Sequence, residues 1–242
     1  MPKILCSTGT FTKKIAVEMP TIANLKFAAF LGDGSLNPRD GQNLVAGGST
    51  FANIGSGPVN QPNYATITPI TGSLNTGMGD GDPAWTVIVA ASPIASNANT
   101  LLGFSNSGAV AFGTGTVVGF FNHVVNQGNV TIFNVGATAT LAAPPLFPTW
   151  RLYAFVSIIG SPFTIYDLTS NAQASTSTNI AATGSRPSPG SFEIGATTPA
   201  SGFTNPANVA FVLGAQTGMV LSDLNAVAAS LRYPLNARGI IV

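Results

Sequence analysis

The chain has 242 residues, of which only 7% are Asp, Glu, Lys or Arg, and its nine basic and eight acidic residues leave a net charge of +1. Because the basic residues form no cluster, the sequence argues against nucleic-acid binding through phosphate contacts. Cys6 is the single cysteine, which excludes an internal disulfide and a zinc site built from thiolates. A surface with so few charges is poorly solvated for a free monomer, so we expect a subunit of a larger assembly.

The first forty residues are predicted to be an amino-terminal extension or assembly arm of a single domain that spans residues 1–242. Met1–Thr8 lacks the apolar core of a secretory signal. The apolar run Leu25–Leu31 is expected to pack on the domain rather than reach a neighbouring subunit. No apolar stretch approaches the roughly eighteen residues that a membrane helix requires, so membrane insertion is not expected.

Most of the chain alternates short apolar runs with clusters of Gly, Pro, Asn and Ser, which is typical of strands joined by turns. Gly32–Gln61 is predicted to wrap the domain as irregular chain with short strands, and Ser170–Pro189 to form a long loop. Helices are missing between most runs, which favours an antiparallel sandwich over a parallel α/β fold. Strands are predicted, in chain order, at Ala65–Thr68, Trp85–Ala91, Leu101–Phe104, Ala109–Phe112, Thr116–Phe121, Val130–Phe133, Arg151–Ile159, Phe163–Tyr166, Phe192–Ile194, Val209–Leu213 and Gly239–Val242.

One helix is predicted near the carboxyl terminus, at about residues 222–233. Ser222 is the expected N-cap, because its hydroxyl can accept from the free amides of the first turn, and Asp223 lies at the positive end of the dipole. Pro234 is expected to end the helix. We predict a structural helix that caps an end of the sandwich. Its core-facing side carries Leu224, Val227, Ala228 and Leu231.

Several short motifs follow one another along the chain: Asn43–Gly48, Gly57–Pro58, Tyr64–Thr66, Thr86–Ala91, Tyr153–Ile158, Phe163–Asp167, Phe192–Ala196, Val209–Leu213, Leu221–Leu224 and Arg238–Ile240. Their order resembles the concanavalin A-like, laminin-G-like jelly roll, in the version found in bacteriophage and prophage structural proteins. The resemblance covers roughly residues 40–242. It implies an all-β fold, an antiparallel two-sheet jelly-roll sandwich, with one concave face often used for carbohydrate.

The sequence carries no catalytic signature. Glycoside hydrolases that look like this domain use two facing carboxylates, commonly within a Glu-x-Asp-x-x-Glu strand. Here the only glutamates are Glu18 and Glu193, and no second acid follows Glu193, which we expect to pair with an arginine or to be solvated. His123, the sole histidine, lies in a strand-like run and is interpreted as an ordinary strand or interface residue. We therefore predict no catalytic residue and no enzyme activity.

Calcium is the metal that the resemblance suggests, since it shapes loops of such domains through Asp, Asn and carbonyl oxygens. Asp80 and Asp82 bring two carboxylates close together on a loop before the first long strand. Asp-Gly pairs are also strong turn formers without a metal. The turn interpretation is preferred, and no cofactor is expected.

Glycan recognition requires an exposed aromatic ring that stacks on the sugar, with amides and hydroxyls around it. The candidate ligand-binding rings are Tyr64, Phe120, Phe203 and Tyr233. Trp85 and Trp150 begin strands and are expected to lie in the core.

The sequence thus favours a non-catalytic bacteriophage virion protein of the tail or capsid surface, with recognition of host glycans as an additional role. The expected partners are further copies in a homo-oligomer, other virion proteins and a host-surface glycan, and the expected location is the virion. The alternative is a free lectin-like carbohydrate-binding module. A glycoside hydrolase of the same fold is disfavoured by the carboxylate count.

Overall fold

The structure is a computed structural model that describes residues 3–7, 14–68, 71–79, 84–93, 99–105, 118–124, 129–134, 137–142, 149–179, 191–195 and 206–242. Its strands are β1 (Lys3–Ser7), β2 (Lys14–Glu18), β3 (Leu25–Phe30), β4 (Ala52–Gly55), β5 (Val59–Asn60), β6 (Ala65–Ile67), β7 (Gly72–Gly79), β8 (Ala84–Pro93), β9 (Asn99–Ser105), β10 (Val118–Val124), β11 (Asn129–Asn134), β12 (Ala137–Ala142), β13 (Arg151–Ile158), β14 (Pro162–Asp167), β15 (Ala172–Asn179), β16 (Ser191–Ile194) and β17 (Ala207–Ala215). The helix is α1 (Leu221–Asn236).

Within the described residues, the strands form two large antiparallel sheets, and β1 and β2 pair separately. One sheet has seven strands in the order β12-β11-β10-β9-β16-β7-β4. The other has eight strands: seven follow the order β15-β14-β13-β8-β17-β6-β5, and β3 pairs with β17 on the side of β6. The predicted all-β antiparallel sandwich with a short carboxyl-terminal helix is confirmed.

An inner core fills the space between the two sheets. Trp85 of β8 lies at its centre, with its ring 5.6 Å from that of Phe163 and 5.3 Å from that of Phe192, both edge-on. All three rings are fully buried, so the prediction of Trp85 as a core residue is confirmed. Edge-to-face pairs of this kind add about 0.5–1.5 kcal/mol each beyond the burial of their area.

An outer core lies on the opposite face of the eight-stranded sheet, where α1 packs. The helix therefore covers a sheet face and not an end of the sandwich, which corrects the prediction. Two-sided burial also explains why Val209–Ala215 reads as a continuous apolar run, since every one of its residues is buried. The helix contributes the predicted residues Leu224, Val227, Ala228 and Leu231, together with Leu235.

The helix begins one residue earlier than predicted. Val220, in extended conformation, occupies the N-cap position without a side-chain cap bond, and its carbonyl accepts from Asp223 and Leu224. Ser222 is consequently inside the first turn and is not the cap. Pro234 does not end the helix either: it lies within the last turns, where Ala237 N–H still donates to the Tyr233 carbonyl.

The residues after α1 form the turn that ends the helix and do not return to a sheet. The predicted strand Gly239–Val242 is therefore wrong. Gly239 has a φ of 75° and donates to the Asn236 carbonyl, while Ile240 donates to Leu235. This pair of bonds is the Schellman motif, in which a left-handed glycine satisfies the last carbonyls of a helix. Ile240 and Leu235 are both buried in the outer core, which supplies the hydrophobic contact that accompanies the motif.

The other predicted strands within the described residues are confirmed, with ends that differ by a few residues. Ala109–Phe112 lies outside the described residues. The predicted loop Ser170–Pro189 is wrong over its first half, because Ala172–Asn179 forms β15. The expectation for Gly32–Gln61 is confirmed by the short strands β4 and β5, and Leu25–Leu31 packs on the sandwich as β3.

The free edge of β3 is covered by the segment Gly41–Ser49. Gly41, Leu44 and Ser49 donate to backbone carbonyls of β3. The Asn43 amide donates to the carbonyls of Lys26 and Ser49 and accepts from the amides of Ala28 and Val45. Covered edges cannot pair with another chain, and Asn43 is the side chain that fixes this cover.

We predict that Asn43→Ala lowers the free energy of unfolding by about 2–4 kcal/mol, because four hydrogen bonds are lost together and their part-buried partners remain. Urea unfolding measures the loss. The neighbouring Gln42→Ala, which removes one exposed bond to the Pro38 carbonyl, should change stability by less than about 0.5 kcal/mol. Equal effects of the two substitutions would contradict the role of Asn43.

A buried ion pair ties the end of the chain to the segment before Gly41. The Arg238 guanidinium donates to both Asp40 carboxylate oxygens, at 2.6 and 2.9 Å, and lies 4.6 Å from the centre of the Phe30 ring. Burial raises the pKa of Asp40, and the bonds and charge of Arg238 offset this only in part. The pair therefore fixes geometry more than it adds net stability.

Arg238→Met is predicted to lower the free energy of unfolding by about 3–5 kcal/mol at pH 7, because it leaves a buried carboxylate without its cation. The double variant Arg238→Met/Asp40→Asn should recover much of the loss. Since the folded-state pKa of Asp40 is raised, protonation favours the folded state, so the loss in the single variant should shrink as the pH falls towards about 4. Denaturant titrations at several pH values test both statements, and a double variant no more stable than the single one would refute the first.

Candidate functional site

A cleft of about 390 Å³ opens between the β14–β15 hairpin and the first turns of α1. We call it the α1 cleft. Its size falls within the range of about 300–1,000 Å³ typical of small-molecule sites. A second cleft beside the same helix end, bordered by Pro20–Ala23 and Asp223, is only about 170 Å³. The α1 cleft is lined by Tyr166, Asp167, Leu168, Asn171, Ala172, Gln173, Leu221 and Asn225.

The alternation of side chains along β14 determines which residues of the β14–β15 hairpin face the cleft. Phe163 and Ile165 of β14 point into the inner core, so Tyr166, the residue after Ile165, points to the opposite face, where it packs at the margin of the outer core. Gln173 is the cross-strand partner of Tyr166 and is exposed. Paired residues of neighbouring antiparallel strands lie on the same face, so an aromatic ring and an amide stand side by side.

The helix side of the cleft comes from Leu221 and Asn225, both exposed. They are four residues apart and therefore lie on the same face of α1. Leu224 and Val227, on the adjoining face, are buried against the sheet and hold the helix at this position. About two turns beyond Asn225, the Arg232 guanidinium donates to the Leu168 carbonyl at 3.1 Å, and this bond links α1 to the turn after β14.

The floor of the cleft is a turn organised by Asp167. One carboxylate oxygen accepts from the backbone amides of Thr169 and Ser170, and the other accepts from the Ser170 hydroxyl and, at 2.6 Å, from Arg151. Asn171 completes the turn with a φ of 58°, a left-handed conformation that asparagine tolerates better than most residues. The Asp167 side chain is only 2% exposed.

These contacts determine what Asp167 can do chemically. Its oxygens are already engaged by four donors, and Arg151 balances its charge, so it has no free role as a general acid or nucleophile in the cleft. The neighbouring Tyr153 is buried, and this burial, together with the negative charge of Asp167, raises the pKa of its phenol. The carboxylate therefore acts as a structural anchor that shapes the turn.

The chemistry open to a ligand is an aromatic ring, a leucine side chain and three neutral amides. Tyr166 and Leu221 offer apolar surface, and Asn171, Gln173 and Asn225 each offer a donor and an acceptor. An apolar platform ringed by planar amides can bind a flat or ring-shaped polar molecule through stacking and hydrogen bonds.

The ring residues proposed from the sequence lie elsewhere. Tyr64 pairs with Trp150, with ring centres 5.7 Å apart, and both are half-buried against the outer core. Tyr64 directly precedes β6, and strands β13, β8 and β17 lie between β6 and the β14–β15 hairpin. Tyr233 is 67% exposed on α1, but eight residues beyond Asn225, which is a rise of roughly 12 Å along the helix. The structure therefore does not bring Tyr64 or Tyr233 into the α1 cleft.

Other candidates are placed only in part. Phe120 and His123 belong to β10, where they pair with Phe104 and Thr100 of β9, and their side chains lie outside the described part of the structure. Phe203, Asp80 and Asp82 also lie outside the described residues. Among the residues that are described, no group of three or more His, Cys, Asp or Glu side chains could hold a metal ion.

Glu193 is 1% exposed, so its interpretation as a solvated strand residue is wrong. It lies in β16 opposite Asn75 of β7 and Phe104 of β9. Pairing with an arginine stays a prediction. The Asn75 amide donates to the Ser191 hydroxyl at 2.6 Å, which makes this part of the seven-stranded sheet polar.

The sequence carries a signal for one side of the cleft. The motif Phe163–Asp167 alternates strictly, which places Tyr166 on the face away from Phe163. The amides Asn171 and Gln173 belong to a segment interpreted as a loop, and once β15 is recognised, the hairpin pairs Gln173 with Tyr166. The contribution of Asn225 depends on where α1 packs, which local pattern does not show.

Comparisons with known proteins support the fold. No family model and no curated protein matches the sequence. A structure of Trypanosoma rangeli sialidase in complex with sialic acid is similar, with a TM-score of 0.63, 10% identity, and coverage of 93% of this chain and 36% of that one. A complex of the same sialidase with 2,3-difluoro-KDN gives a TM-score of 0.60, 11% identity and the same coverage.

The receptor-binding domain of the botulinum neurotoxin C/D mosaic serotype is also similar, with a TM-score of 0.56, 9% identity, and coverage of 86% of this chain and 52% of that one. The chain therefore spans about a third to a half of the length of these structures. At identities near 10%, the likeness establishes a shared sandwich fold. In the described part of the chain, no helix is long and apolar enough to cross a membrane.

We predict that Asp167→Ala destabilises the protein by about 3–5 kcal/mol, because it leaves the part-buried Arg151 unpaired and removes the acceptor that holds the turn. Ser170→Ala, which removes only the hydroxyl bond to Asp167, should lower stability by about 1 kcal/mol. Thermal and urea unfolding give the two values. Similar losses in both variants would show that the carboxylate does not organise the turn.

Proposed function

We propose that this chain is a non-catalytic carbohydrate-binding module whose sugar site is the α1 cleft. The observation that carries the proposal is the Tyr166 ring beside Gln173, with Asn171 and Asn225 completing a border of neutral amides. A pyranose ring presents an apolar face that stacks on an aromatic ring and a rim of hydroxyls that amides bind, which is the chemistry this cleft offers.

The fold comparisons support the same class of ligand. One similar structure is a sialidase in complex with sialic acid, and another is the receptor-binding domain of a botulinum neurotoxin. The sialidases are enzymes, but this chain spans 36% of their length. The carboxylate of the α1 cleft is occupied by the turn and by Arg151, which favours a binding role over hydrolysis.

A virion subunit is the setting that the low charge favours, and it is compatible with glycan binding in one chain. The exposed surface of α1 supports an assembled state, because it carries Tyr233 at 67% exposure, followed by Ile241 at 75%. Apolar groups exposed on a surface with few charges favour association. Further copies of the chain and other virion proteins are the proposed partners, and a free lectin-like module is the alternative setting.

We predict that Tyr166→Ala weakens glycan binding by about tenfold or more, since it removes the stacking surface. A glycan array of the whole chain identifies a ligand, and isothermal titration of that ligand measures the change. Tyr166→Phe, which keeps the ring and its packing on the outer core, should retain most of the affinity.

The matched control is Tyr233→Ala, which removes an exposed ring of α1 outside the cleft and should bind as the wild type does. An array without any bound glycan would refute the proposed function. Loss of binding in Tyr233→Ala, with Tyr166→Ala unaffected and folded by circular dichroism, would place the sugar site elsewhere.

A further inference from the structure

We infer that the α1 cleft selects uncharged pyranoses and discriminates against sialic acids and other acidic sugars. The inference rests on the proposed function, and it concerns the charge of the ligand that the same site accepts. The inferred preference differs from that of the sialidase to which the chain is structurally similar, since that sialidase forms a complex with sialic acid.

The first argument is the charge of the lining. Among the described residues, the eight that line the α1 cleft include no Lys, Arg or His. Their one ionisable carboxylate, Asp167, is paired with Arg151 and 2% exposed, so its charge is balanced inside the protein. An acidic sugar would therefore give up the water around its carboxylate without gaining a cation, and unpaired charges are expensive to desolvate.

The second argument concerns the helix end. The positive end of a helix dipole generally favours an anion. In α1 the first turn carries Asp223, whose negative charge lies two residues from both Leu221 and Asn225. An exposed carboxylate in the first turn offsets part of the dipole, which weakens the attraction of the helix end for an acidic ligand.

The third argument is the balance of donors and acceptors. Asn171, Gln173 and Asn225 each present an amide oxygen as well as an amide nitrogen. A sugar hydroxyl both donates and accepts, so it can use either end of each amide. A carboxylate only accepts, so it can use the amide nitrogens but not the amide oxygens.

Two described cations contact the lining: Arg151, which is paired with Asp167, and Arg232. The Arg232 guanidinium donates to the carbonyl of Leu168, one of the lining residues. Arg232 is exposed and its guanidinium has further N–H donors, so a sialylated glycan that reached it could pair with it while the bond that ties α1 to the turn remains. Arg232 is thus the group whose recruitment would contradict the inference, and the experiment includes its removal.

The test uses a glycan array and solution titrations with matched glycans that differ only by a terminal sialic acid, such as lactose-terminated and sialyllactose-terminated forms. The wild-type chain, Asn225→Lys, its neutral control Asn225→Gln, and Arg232→Gln are compared. We expect the wild type to bind the uncharged member of each bound pair more tightly. Asn225→Lys should shift the ratio of affinities towards the sialylated member by up to about fivefold, the range of an exposed charge pair, whereas Asn225→Gln and Arg232→Gln should leave the ratio unchanged.

Each result decides a separate question. Tighter binding of the sialylated members, or a sialylated preference that Arg232→Gln removes, would overturn the inference of charge selection while leaving glycan binding intact. A ratio that does not respond to Asn225→Lys would also overturn it, because the charge at the cleft would then not matter to the ligand. Failure of every glycan to bind would overturn the proposed function itself.

Discussion

Burial of the eight-stranded sheet on both faces is the constraint from which the rest of the structure follows. One face meets the seven-stranded sheet, and the other face, with Phe30, Phe211 and Leu213, would be an exposed apolar surface without α1. At roughly 25 cal/mol per Å² of apolar area, exposing this face would cancel much of the free energy of folding of a domain.

The small residues on this face leave room for the helix to approach closely; they are Ala28, Ala90, Ala154 and Ala210. The end of the chain is then fixed by the Gly239 turn and by the pairing of Arg238 with Asp40.

The α1 cleft is a consequence of that packing. The helix covers β3, β8, β13 and β17, and its first turns extend towards β14 without covering Tyr166. A hairpin that continues beyond the covered area leaves a step between helix and sheet, and the side chains at this step are half-exposed. Rigid elements form both walls, and Asp167 and Arg232 fix the turn between them. Such a site needs little rearrangement to bind a ligand, which limits the entropy lost on binding.

Local pattern predicted nine of the strands and the buried face of the helix, because period-2 and period-3.6 alternation reflect burial directly, but it missed others such as β7 and β12. It failed where the outcome depended on tertiary contacts. Gly239–Val242 has the composition of a strand, but Gly239 takes a left-handed φ and Ile240 packs on Leu235, so the segment closes the helix. Ala172–Asn179 is rich in Ser, Thr and Asn, and it is a strand because β14 offers it an edge; Gln173 and Ser175 are exposed, and the buried Thr176 hydroxyl accepts from the Phe163 amide. The site was missed for the same reason: Tyr166, Gln173 and Asn225 come together only through a hairpin register and a helix position.

The low charge content of the chain is related to the recognition chemistry that we propose for the α1 cleft, because the few charges near the cleft already form ion pairs. With nine basic and eight acidic residues in the whole chain, two ion pairs, Arg238–Asp40 and Arg151–Asp167, are spent on fixing the end of the chain and the turn of the cleft. What remains at the cleft surface is an aromatic ring and neutral amides. Recognition by such groups is weak for each contact and insensitive to salt, since it gains little from long-range attraction. Affinity then has to come from several contacts made at once, and a chain that presents many copies of one shallow neutral cleft would achieve this through multivalency. The assembled state and the glycan ligand that we propose would therefore both follow from one physical property, the scarcity of free charge.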